Sequence, residues 1–209
     1  MRILLGTTNP SKVKRFSDLL KGYDVEFVTL KDLAITDEPE ENGTTPEENA
    51  IAKAKFYGQY FDVVICNDSG LYFEELTLND VRQPGLNVRT PMQMDRLSDE
   101  EMVDYYSKLI DTLGGKVSAY YLDGIAVYYH GTIYSFMDAD EAKKTGSFYM
   151  IGKASSKRFE GWPLDSLSIN KENGKYFVDG SIEESKENII KDQYQKSVVD
   201  FLIKSLHIA

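Results

Sequence analysis

Short apolar runs alternate with amphipathic stretches over the first 70 residues. Arg2 to Gly6 predicts a strand, and Val13, Phe16, Leu19 and Leu20 then recur at helical spacing toward Gly22. Asn9 suits the N-cap of that helix, and Pro10 its first position. Val25 to Leu30 predicts a second strand, and Glu38 to Gly43 an acidic loop. Thr45 caps a helix from Pro46 to about Tyr60, with Glu48 at capping-box spacing. Asp62 to Cys66 predicts a third strand, too apolar for an exposed edge. Asn67-Asp68-Ser69-Gly70 reads as the turn that ends it. This β-α-β-α-β order predicts an α/β sheet with ligands at the strand tips.

The pattern changes further on. Residues 77–97, with Pro84, Gly85 and Pro91, read as a long loop. Ser98 caps a helix through Leu113, ending at Gly114-Gly115. Lys116 to Tyr129 and Thr132 to Met137 predict a long antiparallel pair around Gly131. Residues 138–145 read as a polar connector, 147–152 as a strand and 183–206 as a helix. That last helix puts Ile189, Ile190, Tyr194, Val198, Phe201 and Leu202 on one face. The expectation is one α/β domain, 1–209, built on a central mixed sheet with flanking helices. Two lobes would surround a cleft: about 1–75 with the C-terminal helix, and about 76–180.

Composition narrows the classes. With 209 residues, 42% hydrophobic and 28% charged, the chain reads as soluble and globular. A net charge of −10 argues against a polymeric nucleic-acid partner, which needs a basic surface. It leaves open a nucleotide, whose phosphates need only a local cationic pocket. No apolar run approaches the ~18 residues of a membrane span. The single cysteine, Cys66, allows no internal disulfide and suggests a cytoplasmic protein. In its strand it reads as a core residue rather than a nucleophile. His130 and His207 read as surface residues.

Three segments carry candidate chemistry. Thr7, Thr8, Asn9 and Lys12 stand at a helix entrance, where free N–H groups and a lysine suit a phosphate. The same residues would also make a plain capped surface helix. Glu48 or Asn49 shares a helix face with Lys53. A carboxylate there suits a hard divalent ion and Lys53 suits phosphate oxygens, although a self-paired solvated face fits the same pattern. Asp68, following a buried strand, suits a metal or a water proton, or an ordinary Asx turn. Trp162, the only tryptophan, would stack on a base, or else pack in the core or between the lobes.

Taken together, Thr7/Asn9/Lys12, Glu41 to Ala54 and Asn67 to Leu71 resemble the inosine triphosphate pyrophosphatases in order and spacing. The likeness is good over residues 2–90 and weaker beyond. Arg82-Gln-Pro-Gly85 with Arg89, and Glu160-Gly-Trp-Pro-Leu-Asp165, resemble later segments of that family with altered spacing. The resemblance implies a homodimer that uses Mg²⁺, or Mn²⁺, to hydrolyse a nucleoside triphosphate to monophosphate and pyrophosphate. The substrate would be inosine or xanthosine triphosphate or a deoxy form. It implies Asp68, Lys12 and Lys53 as catalytic residues, and Glu48 with Asp68 as metal ligands. Thr7, Thr8, Asn9, Lys12, Ser69, Gly70, Trp162, Asp165 and Lys186 would contact substrate. Two departures stand out. Asn67 replaces the first Asp of the family's Asp-Asp-Ser-Gly, and Lys191, Asp192 and Gln193 replace its Ser-His-Arg stretch. The second predicts weaker or redirected selection of 6-oxo purines. A non-catalytic nucleotide binder, or a hydrolase of another activated phosphate compound, fits the same residues.

Overall fold

The computed structural model describes residues 1–159, 161–180 and 193–209. Lys186, Lys191, Asp192 and the predicted helix before Gln193 lie outside the described residues. The chain divides into two compact units. The first holds residues 1–69, 123–138 and 193–209; the second holds 70–122 and 139–192. Residues 123–138, inside the stretch expected for a second lobe, thus belong with the first unit.

In the first unit, strand β1 (Arg2–Leu5) leads into helix α1 (Pro10–Leu19), strand β2 (Glu26–Thr29) and helix α2 (Pro46–Tyr57). Strand β3 (Val63–Phe73) and strand β4 (Lys116–Tyr129) each run on into the other unit, and strand β5 (Thr132–Phe136) completes the hairpin. The order is β2-β1-β3-β4, with β5 also paired to β4. β1 is parallel to both β2 and β3, while β4 and β5 are antiparallel. The sheet is therefore mixed, as expected, and helices pack on it. After β1 the chain turns first to one side, at β2, and then to the other, at β3. The carboxyl ends of β1 and β3 thus form a topological switch point, the usual ligand position in such sheets.

Local signals explain the helices. Asn9 accepts from the Ser11 N–H at 2.9 Å and caps α1, with Pro10 behind it. Thr45 accepts from the Glu48 N–H at 3.2 Å and caps α2. Ala50, Ala54 and Tyr57 of α2 bury against Leu4, Val64, Cys66 and Ala126. Two alanines on this face let the helix lie close to the sheet. Closest is Gly124 of β4: a Cβ there would fall 2.2 Å from both the Pro46 carbonyl carbon and the Glu47 amide nitrogen. The final helix, α5 (Gln193–Leu206), buries Tyr194, Val198 and Leu202, and stacks Phe201 on Phe136 at 5.5 Å. His130 and His207 are exposed.

The second unit centres on helix α3 (Asp99–Thr112), which carries a complete capping box of Ser98 and Glu101. Its Tyr106 and Ile110 bury with Leu71, Phe73, Val117 and Met150. Strand β6 (Phe148–Ile151) pairs antiparallel with β4 and with the short strand β7 (Ser168–Ile169). Helix α4 (Ala139–Gly146) occupies the stretch read as a polar connector. Asp140 and Glu141 in its first turn and Lys143 and Lys144 in its last complement the helix dipole, a signal hidden by the low apolar content.

The main correction concerns Asp68. It does not sit in a turn: β3 continues through Asn67, Asp68, Ser69 and Gly70 to Phe73. Turn-forming residue types are overridden by pairing further along. The Leu71 N–H donates to the Gly85 carbonyl at 2.9 Å, and Gln83 clasps both backbone groups of Phe73, at 2.7 and 3.0 Å.

Two stability predictions follow from these packing contacts. Gly124→Ala should cost about 3 kcal/mol, because the methyl meets backbone rather than a side chain that can swing away. Urea unfolding measures it, and a cost below about 1 kcal/mol would mean that α2 moves freely off β4. Asp165, partly buried in the turn Pro163–Ser166, has its carboxyl pushed up from 3.8 to about 6 by burial. The folded chain therefore holds that proton more tightly than the unfolded chain. Stability should fall as pH rises from about 4 to about 6, by up to about 3 kcal/mol. Asp165→Asn should flatten that slope and raise the melting temperature at neutral pH. An unchanged stability–pH profile would assign the slope to another group.

Candidate active site

β1 pairs with β3 only through Leu4 and Leu5, extended by the Gly6 N–H bonding Ile65 O at 2.9 Å. β3 runs on past the end of β1 and next bonds at Leu71, to Gly85. Asn67, Asp68 and Ser69 occupy this stretch, and the turn from β1 into α1 faces the same end of the sheet. That turn is braced by its own side chains: the Asn9 N–H donates to Thr7 Oγ1 at 3.1 Å. Thr8 and Asn9 are exposed. Lys12, in the first turn of α1, donates from its ammonium to the Asn67 carbonyl at 3.2 Å. Among the described residues no carboxylate oxygen lies within ion-pair distance of it. Burial pulls its pKa below the usual lysine range, and repulsion from Lys53 adds to this.

α2 supplies the opposite side. Asn49 donates to Asp68 Oδ2 at 2.9 Å, and Lys53 donates to Asp68 Oδ1 at 3.1 Å. The Asn49/Lys53 spacing of four thus does place both on one face, and that face meets β3. Lys53 also bonds Glu41 Oε2 at 2.8 Å, so one ammonium lies between two carboxylates. Burial works against its charge, but Asp68 and Glu41 outweigh burial and raise its pKa above the usual value. Lys53 and Asp68 side chains are each only 14% exposed, so screening by water is weak and the pairing counts. Glu48 points elsewhere. Its carboxylate accepts from the Thr44 N–H at 2.6 Å and the Thr44 hydroxyl at 2.9 Å, which lowers its pKa.

Three participants escaped the sequence reading. Arg15 lies one turn after Lys12 and binds Asp123 Oδ2 at 2.7 Å. Burial opposes the charge of Asp123, but Arg15, Lys12 and the Ser69 hydroxyl outweigh it and lower its pKa. Asp123 had a visible signal, being a lone carboxylate in a long apolar and aromatic strand, where a buried charge demands a partner. Arg15 shared a helix face with Lys12 at a spacing of three. Glu41 stood inside the matched motif, but nothing in its spacing distinguished it from its acidic neighbours.

The remaining candidates divide by unit. Ser69 belongs with Asp123 in the first unit, and Gly70 opens the second. Trp162 and Asp165 are in the second unit. Trp162 is 43% exposed, which rules out the core-packing alternative. Cys66 is buried, and its thiol is pushed up to about 12 by burial, so it is the core residue expected. No helix among the described residues is long and apolar enough to cross a membrane.

Comparisons with known proteins agree with this fold. The dITP/XTP pyrophosphatase of Thermoanaerobacter pseudethanolicus is 41% identical over 87 residues, 41% of this chain and 42% of that protein. The enzyme of the same name from Bacillus subtilis is 43% identical over 76 residues, 35% of this chain and 37% of that protein. The chain therefore aligns with less than half the length of these relatives. Among solved structures, a HAM1 protein from Coxiella burnetii matches with a TM-score of 0.73 at 19% identity, over 98% of this chain and 99% of its own. The Ham1 protein of Staphylococcus aureus matches at 0.69 and 20% identity, over 97% and 98%. These two establish the fold. The family model described as the Ham1 family matches residues 3–143, which include every charged residue of the first-unit site, and the chain belongs to that family.

Proposed function

We propose that this protein hydrolyses a nucleoside triphosphate to the monophosphate and pyrophosphate, acting on inosine or xanthosine triphosphate or their deoxy forms. The observation that carries this reading is Lys12. Its ammonium is desolvated, is repelled by a second cation at Lys53 and, among the described residues, bonds a carbonyl rather than a carboxylate. Such a cation is stabilised when an anion arrives, and the N-terminus of α1 adds N–H donors at the same place. The relatives named dITP/XTP pyrophosphatase support the choice of anion.

Asp68 is suited to accept a proton. A carboxylate offers about four lone-pair sites, and Asn49 and Lys53 take one on each oxygen. A water bound to a remaining site would pass its proton to Asp68 while its oxygen attacks the α-phosphorus. The bond from that phosphorus to the bridging oxygen then breaks, and pyrophosphate leaves with the electron pair. Lys12 and Lys53 oppose the charge that builds on the phosphate oxygens.

The donors present suit Mg²⁺ or Mn²⁺. Such ions take hard oxygens, commonly one or two carboxylates together with substrate phosphates. Asp68 would hold the ion, with Glu41, which converges with it on the Lys53 ammonium; Glu48, the other ligand the resemblance implies, is held by Thr44 and would have to turn to join them. When bound, the ion would neutralise phosphate charge. The resemblance to the family supports a homodimer, and the single cysteine supports a cytoplasmic location.

The test is a panel of purine and pyrimidine triphosphates and other activated phosphates, assayed for pyrophosphate with Mg²⁺. Release from inosine or xanthosine triphosphate is expected; release from no triphosphate would refute the reading. Asp68→Asn should lower kcat about 10²–10⁴-fold, since an amide cannot take the proton, while nucleotide affinity stays within a few-fold. Near-normal kcat would remove Asp68 from the mechanism. Chelation with EDTA should abolish turnover and added Mg²⁺ should restore it, whereas full activity in EDTA would remove the metal from the scheme.

A further inference from the structure

Asn67 stands where the resembling family usually carries Asp, and its surroundings account for the change. The residue is 3% exposed. Its Nδ2 faces three oxygens: Asp68 O at 2.9 Å, Asp123 Oδ1 at 3.3 Å and Gly124 O at 3.3 Å. Turning the amide over would set an oxygen against all three, so its neighbours fix its orientation. Its own carbonyl takes the Lys12 ammonium at 3.2 Å. Asn67 therefore holds Lys12 through its main chain and the Asp68 peptide through its side chain. Behind it, Asp123 is anchored by Arg15 at 2.7 Å.

We propose that the Arg15–Asp123 pair is a positioning device that acts through Asn67 on Asp68 and Lys12, and that Asp123 is the reason residue 67 is an amide. The proposal rests on the reading above, in which those two residues handle the triphosphate. A carboxylate at 67 would face another carboxylate and two carbonyl oxygens with no donor among them. Two such groups at this distance and burial do not both ionise without cost. The negative charge sits instead on Asp123, where Arg15 neutralises it, and the amide turns that charge into a hydrogen bond on the far side. Without Asp123, Arg15 keeps a buried charge and Asn67 loses the acceptor that orients it.

The test is a double-mutant cycle of Asn67→Asp, Asp123→Asn and the two together. Two quantities are read: kcat at saturating substrate, and the Kd of a triphosphate whose α–β bridge is a methylene group. Each single change should lower kcat at least about tenfold. The double variant places an amide at 123 opposite a carboxylate at 67, so that one contact re-forms with donor and acceptor exchanged, while the Asp68 and Gly124 carbonyls still face the carboxylate and keep the rescue partial. It should exceed the product of the two single effects at least about tenfold. Losses that simply multiply, or coupling seen only in melting temperature, would overturn the proposal. Arg15→Lys guards against variants that fail to fold. It keeps the charge but moves the donor away from where the guanidinium holds it, and should lower kcat about tenfold with little change in melting temperature. Normal kcat in Arg15→Lys would equally overturn it. A wild-type chain that binds the analogue but turns over no triphosphate would refute the proposed function alone, because coupling in Kd still decides the role of the pair. A chain that does neither would refute both.

Discussion

Burying Lys12, Arg15 and Lys53 around the ends of β1 and β3 removes three cations from water, and Glu41, Asp68 and Asp123 offset most of that cost. The carboxylates are not spread evenly. Lys53 has two within 3.1 Å and Arg15 has one at 2.7 Å, while Lys12 has none within ion-pair distance among the described residues. Breaking a buried pair by deleting one partner typically costs about 3–5 kcal/mol, so the cluster resists piecemeal change. The cation left over is the one nearest the open N-terminus of α1. Asp68 and Asp123 ease its desolvation from a distance, and negative charge brought from outside would ease it further.

Backbone geometry sets where these charges meet. β1 is four residues long and β3 is eleven, so β3 outruns its neighbour and carries Asn67 and Asp68 past the end of β1, where Lys12 and α2 reach them. α2 comes close enough to reach them because its inner face is alanine and because β4 has no side chain at position 124. A bulkier helix face would hold Asn49 and Lys53 away from Asp68. The contact distances of the site are in this sense decided by small residues that never touch a ligand.

Much of this was legible in the sequence. The caps at Asn9, Thr45 and Ser98 act on neighbouring N–H groups, so their meaning is local and survives folding. The Asn49–Lys53 face was legible for the same reason. Asp68 was recognised as a site residue but misplaced in a turn, because what keeps Asn67 to Gly70 extended is pairing with residues 83–85, which no local pattern announces. α4 was missed because its stability signals are charges rather than apolar spacing. The Arg15–Asp123 pair joins residues 108 positions apart, and only the fold shows that the lone carboxylate of β4 and the second cation of α1 answer each other.

Cys66 carries a practical consequence. It lies one residue before Asn67, yet it is enclosed by the α2–sheet core, and its thiol stays protonated at any ordinary pH. Thiolate-directed reagents therefore find no ready target in the folded chain. A cysteine introduced at an exposed position would be the only reactive one. Fluorophores or spin labels could then be attached there without first removing the natural residue, leaving the strand next to the charge cluster as it is.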